Sequence, residues 1–78
     1  MIVHIGNDCF VKTKDILMIL DYKEAVSNKE TGLFLEGIKQ TETGGGAPRS
    51  VVITDEDGVG KAYFSPISAR TLAERVKG

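Results

Sequence analysis

With 78 residues, 41% of them hydrophobic and 27% charged, the chain has room for one globular domain, residues 1–78, and is not disordered by composition. Its net charge of −1 excludes a general attraction for nucleic acid or anionic lipid, so polyanion binding must come from local clusters of Lys and Arg or from one patch repeated around an oligomer. A single cysteine, Cys9, excludes an internal disulfide, and with a single histidine, His4, it argues against a structural zinc site.

Ile2, Val3 and Ile5 predict a strand, Gly6, Asn7 and Asp8 a turn, and Cys9, Phe10 and Val11 a second strand, so residues 1–12 read as a β-hairpin. This start has neither the basic residues nor the long apolar stretch of a signal peptide. Thr13, Lys14 and Asp15 form a polar break with Thr13 as a cap. The apolar run 16–20 predicts a strand buried on both faces and is far too short to cross a bilayer. An unpaired cysteine without an export signal suits the cytoplasm.

A helix is expected over residues 28–40, capped by Ser27 or Asn28, with Glu30 near the capping-box position and Val26, Leu33, Phe34 and Ile38 as its apolar stripe. Residues 41–48, with Gly44, Gly45 and Gly46, predict a flexible loop. A strand follows over 49–54, with Val51 and Ile53 on one face and Val52 and Thr54 on the other; then come a turn over 55–60 and a strand over 61–64. Ser68 caps a last helix from Ala69 to Lys77 that turns Leu72 and Val76 inward and Arg70, Glu74 and Lys77 outward. The fold class is α+β: a small, mostly antiparallel β-sheet of about five strands, one mid-chain helix and a short C-terminal helix. A chain this short buries only roughly 60% of the surface its unfolded form exposes. With no disulfide or metal to staple it, self-association is the physical expectation.

Catalytic equipment is lacking. His4 alternates with Val3 and Ile5 and faces solvent on an edge strand, and Cys9 has no flanking cation to lower its pKa. The segment Gly58-Val59-Gly60-Lys61 has the look of the end of a phosphate-binding loop. However, Asp55 stands where that loop needs glycine, and Ala62 stands where it needs Ser or Thr. Asp55-x-Asp57-Gly58 lacks the distal Glu of a calcium loop. The better lead is cationic: Lys12, Lys14 and Arg49 each lie where a strand meets a loop, and such ends can gather on one sheet edge as a phosphate-binding rim.

His4-Ile5-Gly6-Asn7-Asp8, Lys14-Asp15-Ile16, the segment from Arg49 to Thr54, and Tyr63-Phe64-Ser65-Pro66-Ile67-Ser68 with Thr71-Leu72 resemble, in order and spacing, the extracellular matrix regulatory proteins of Gram-positive bacteria, the RemA/RemB family. The start and the Ser-Pro-Ile-Ser ending are closer to the RemB branch, and residues 23–48 fit least well. The resemblance implies a regulator. The RemA branch binds DNA, activates biofilm-matrix genes, assembles into rings and has a fold likened to the LytTR-type DNA-binding domain. RemA-type proteins carry an arginine cluster before the strand that begins here at Ser50, and of it only Arg49 is retained. A further basic residue of that branch falls near Lys14, whose ammonium lacks a bidentate fork.

The expectation is therefore a cytoplasmic, homo-oligomeric DNA-binding transcriptional regulator of extracellular matrix genes. It needs no cofactor, no small-molecule substrate and no membrane, and it meets DNA through Lys12, Lys14 and Arg49. The competing expectation, motivated by the near-neutral charge and the acidic tip at Asp55 and Asp57, is a homo-oligomeric protein-interaction module without nucleic-acid contact.

Overall fold

A computed structural model describes residues 1–78. In chain order the elements are β1 (Ile2–Gly6), β2 (Cys9–Lys12), a 3-10 turn (Thr13–Asp15), β3 (Ile16–Asp21), α1 (Tyr22–Ser27), α2 (Lys29–Glu36), β4 (Lys39–Glu42), β5 (Ser50–Glu56), β6 (Val59–Ser65) and α3 (Ala69–Lys77). β1 and β2 form an antiparallel hairpin, and the other four strands form one sheet in the order β3-β5-β6-β4. β3, β5 and β6 are antiparallel neighbours, whereas β4 joins β6 in parallel, with Lys39 opposite Lys61 and Glu42 opposite Phe64.

β5 is the centre of a three-layer arrangement. Ser50, Val51, Val52, Ile53 and Thr54 are all buried. Val52 packs with Val3, Ile5 and Val11 of the hairpin and with Leu72 of α3. Val51 and Ile53 face the other way and pack with Ala25 of α1, Leu35 of α2 and Ala62 of β6. The expected alternation across this strand holds, and both of its faces are apolar cores.

The doubly buried strand was expected at residues 16–20. That run is instead β3, an edge strand, with Leu17 62% and Met18 48% exposed. A register shift between Ile16 and Met18 marks a bulge, a common device on edges that must not pair further.

The single helix expected over 28–40 is two helices. Asp21 caps α1, its Oδ2 accepting from the Glu24 amide at 3.1 Å. Asn28 is extended, with φ −89° and ψ 119°; it ends α1 and caps α2, its Oδ1 accepting from the Thr31 amide at 2.9 Å. The break resets the helical phase. The core side chains are therefore Ala25 and Leu35, while Val26, Leu33 and Phe34 point outward. Residues 39–42, at the boundary of the expected helix and loop, form β4, a strand beyond the five expected. The sheet is thus four-stranded with a separate hairpin, rather than one sheet of about five strands. The turn expected over 55–60 narrows to Asp57 and Gly58, with φ of +55° and +85°, the two-residue turn that matches strand twist.

Buried hydroxyls hold the layers together. Ser65 Oγ donates to the carbonyl of Ile5 and accepts from the amide of Ile67 at 3.0 Å, tying β1 and the approach to α3 to the end of β6. Ser50, its partner across the sheet, donates to the carbonyl of Ile67 at 2.6 Å. Gly6 carries φ +148°, and a Cβ there would overlap Thr43 Oγ1 and stand 3.0 Å from Pro66 Cδ. Replacing Ser65 by Ala strands one acceptor and one donor. The expected loss is about 2–4 kcal/mol of unfolding free energy, measured by urea denaturation.

Candidate functional site

Lys12, Lys14 and Arg49 are all exposed, but a single subunit does not bring them together. Lys12 ends β2, and Lys14 lies in the turn that enters β3 at Ile16, opposite Thr54 of β5. Arg49 precedes Ser50, which pairs with Asp21 at the other end of β3. Because β3 and β5 are antiparallel, the two sites lie a strand length apart, roughly 17 Å. All three residues do sit at strand ends, as expected, but at opposite ones.

The Arg49 end is the more structured. The Arg49 amide donates to the Ser65 carbonyl at 2.7 Å, and its own carbonyl accepts from the Tyr22 amide at 3.0 Å. This main-chain pair locks the end of β3 and the start of α1 beside the entry to β5. Between them lies a notch of about 150 Å³ lined by Asp21, Tyr22, Lys23, Pro48, Arg49 and Ser68. At roughly 30 Å³ per water, it has room for one tetrahedral oxyanion and some hydration, well below the size of pockets that enclose drug-sized ligands. No carboxylate lies within ion-pair distance of Arg49 or Lys23; the two ion pairs of the molecule are Lys61–Glu56 and Arg70–Glu74. Asp21 is engaged in capping α1, and Ser68 caps α3, its Oγ accepting from the Thr71 amide at 3.2 Å. The positive end of the α3 dipole thus borders the notch.

Sequence reasoning missed Lys23. Its only signal was its place one residue after Tyr22 in a stretch without clear periodicity. Its proximity to Arg49 depends on the pairing of β3 with β5.

A second polar cluster lies at the far end of the β5–β6 hairpin. Glu56 accepts from Tyr63 Oη at 2.6 Å, Thr54 Oγ1 at 2.7 Å and Lys61 Nζ at 3.1 Å. The Tyr63 hydroxyl is the main cause holding the Glu56 carboxyl below its usual range; burial opposes it, and Thr54 and Lys61 assist. Burial first, and then the Glu56 carboxylate, push the Tyr63 phenol upward. Burial, followed by the charge of Glu56, also raises the Cys9 thiol, which favours the unreactive protonated form. His4 packs against Phe10 on the outer face of the hairpin, the ring centroids 5.0 Å apart and the planes tilted by 48°, and its Nε2 meets the Asn7 carbonyl. No group of three or more His, Cys, Asp or Glu is placed to hold a metal, and no helix is long and apolar enough to cross a membrane.

Residues 2–76 match the family model described as RemA-like, extracellular matrix regulatory protein A-like. The chain belongs to this family. It is also 36% identical over 78 residues to extracellular matrix regulatory protein B of Bacillus subtilis (strain 168), covering 99% of this chain and 91% of the relative. The resemblance read from the Gly6-Asn7-Asp8 start and the Ser65-Pro66-Ile67-Ser68 ending is therefore upheld, including its lean toward the B-type protein. The names of this family and of this relative are those of matrix regulators and not of enzymes.

The Glu56 cluster yields a pH prediction. A carboxyl with a depressed folded-state pKa stabilises the fold above its unfolded value, about 4.3, and loses that contribution as pH falls through the lower folded value. Tyr63, shifted upward, adds a loss of stability as pH rises above about 10, where the unfolded phenol ionises first. Tyr63→Phe removes the principal cause, so the Glu56 pKa rises toward the ordinary carboxylate range and the acid-side loss of stability shrinks. Carbon-detected NMR titration of the Glu56 carboxyl, with urea melts from pH 3 to 7, measures both.

Proposed function

We propose that this member of the RemA-like family is a cytoplasmic, DNA-binding transcriptional regulator of extracellular matrix and biofilm genes that acts as a homo-oligomer, with Lys12, Lys14 and Arg49 meeting the phosphates of double-stranded DNA. The observation that carries this reading is Arg49, its guanidinium unpaired and its main chain hydrogen-bonded on both sides, lining a notch of oxyanion size in a chain that belongs to a family of matrix regulators. With a net charge of −1, one subunit attracts DNA weakly, and its cations work only when a closed assembly repeats them. The ring and the LytTR-like likeness are part of this proposal.

Assembly is supported by two exposed apolar faces on opposite sides of the sheet. On one, Met18, Leu20 and Phe34 line a shallow groove with Glu30 and Thr31, and Leu33 and Val26 are also exposed. On the other, Ile2 and Phe10 are 62% and 56% exposed on the outer face of the hairpin. Different faces on opposite sides suit head-to-tail contact, which closes into rings or runs on as filaments. The same faces favour the second reading, a protein-interaction module that assembles without touching DNA.

One pair of measurements separates the readings. The expected result is an oligomer by sedimentation velocity whose affinity for a short DNA duplex falls linearly with salt on logarithmic axes. Arg49→Ala and Lys14→Ala should each reduce the slope by about 0.9 for every phosphate the side chain had neutralised. Phe34→Glu, at an exposed position, should shift sedimentation toward the monomer and weaken DNA binding in parallel. Assembly without binding at low salt supports the interaction module, and a stable monomer at micromolar concentration defeats both.

A further inference from the structure

We propose that Lys23 and Arg49 clamp one and the same backbone phosphate in the notch between β3, α1 and the entry to α3, making this notch the positioning contact of each subunit on DNA. The inference rests on the DNA-binding reading and deepens it. Lys23 is not among the residues that the sequence marked, and it belongs to the stretch that fits the family pattern least well.

Four observations converge. Lys23 and Arg49 line one concavity, and neither is buried. Neither has a carboxylate partner, and Asp21, the one acid in the lining, spends its Oδ2 on the Glu24 amide. With Asp21 counted, the lining carries two positive charges and one negative, a net +1 on a molecule whose total is −1. The walls are preorganised, because the Tyr22 amide bonds the Arg49 carbonyl at 3.0 Å and the Arg49 amide bonds the Ser65 carbonyl at 2.7 Å. A guanidinium fork from one wall and an ammonium from the other suit a tetrahedral oxyanion. An arginine cluster on one loop is therefore not needed to double the charge at this point. Here the second cation comes from α1, across the β3–β5 pairing, and no spacing along the chain announces it.

The test is a double-mutant cycle on binding to a short mixed-sequence DNA duplex at low salt. Lys23→Ala and Arg49→Ala should each weaken binding about tenfold. The double variant should be little weaker than the worse single variant, because both side chains serve a single phosphate. Lys77→Ala, at the far end of α3, is the control and should bind as the parent does. Both substituted side chains are exposed, so thermal melts should be unchanged. If the parent binds and Lys23→Ala binds equally well, the clamp is wrong and the DNA reading stands. If the two single effects multiply in the double variant, the residues hold separate phosphates and the shared clamp is overturned. If the parent does not bind the duplex at low salt, the DNA reading fails and takes the clamp with it.

Discussion

The Ser65 side chain is a hinge point for the whole molecule. Its hydroxyl is buried between β1 and the segment that leads into α3, donating to one and accepting from the other. Across the strand pair, Ser50 donates to the carbonyl of the Ile67 whose amide Ser65 accepts from, and the Arg49 amide returns to the Ser65 carbonyl. A hydroxyl can do this because it is donor and acceptor at once, and in a dry setting each of its bonds costs more to lose than to form. The hairpin layer, the C-terminal helix and the arginine-bearing entry to β5 therefore share one polar anchor.

That anchor explains how so thin a core keeps a definite shape. Fifteen of 78 residues are buried, and the ten hydrophobic ones in the core form two clusters of five on the two faces of β5. Neither cluster is large, and each is closed by a different layer. What keeps the layers in register is the directional bonding of the serine pair, while the Glu56 cluster closes the opposite end of the β5–β6 hairpin within the sheet. The apolar side chains left outside, Phe34, Met18, Phe10 and Ile2, are surface that a larger protein would cover with its own chain.

Charge follows the same geometry. The cations are few and almost balanced by acids, so their effect depends on placement. Antiparallel pairing of β3 with β5 sends Lys14 to one end and Arg49 to the other, and brings Lys23 to Arg49.

Much of this was legible in the chain. The two hairpins followed from turn residues between short apolar runs, because an Asn-Asp or Asp-Gly pair has few other conformations open to it. Asn28 and Ser68 were readable as caps for the same local reason. The family resemblance was also readable, because ordered motifs survive in the sequence even where no single one is chemically distinctive. Tertiary structure alone decided which apolar run is central. Residues 16–20 are all apolar while 50–54 begin with Ser and end with Thr, yet sheet order puts β3 at the edge and β5 inside. It also made a strand of the polar residues 39–42, which no pattern of their own predicts, by offering them the open edge of β6. Finally, it placed Lys23 beside Arg49 and parted Arg49 from Lys14, because closeness across strands is set by pairing direction and register, which local residue preferences do not encode.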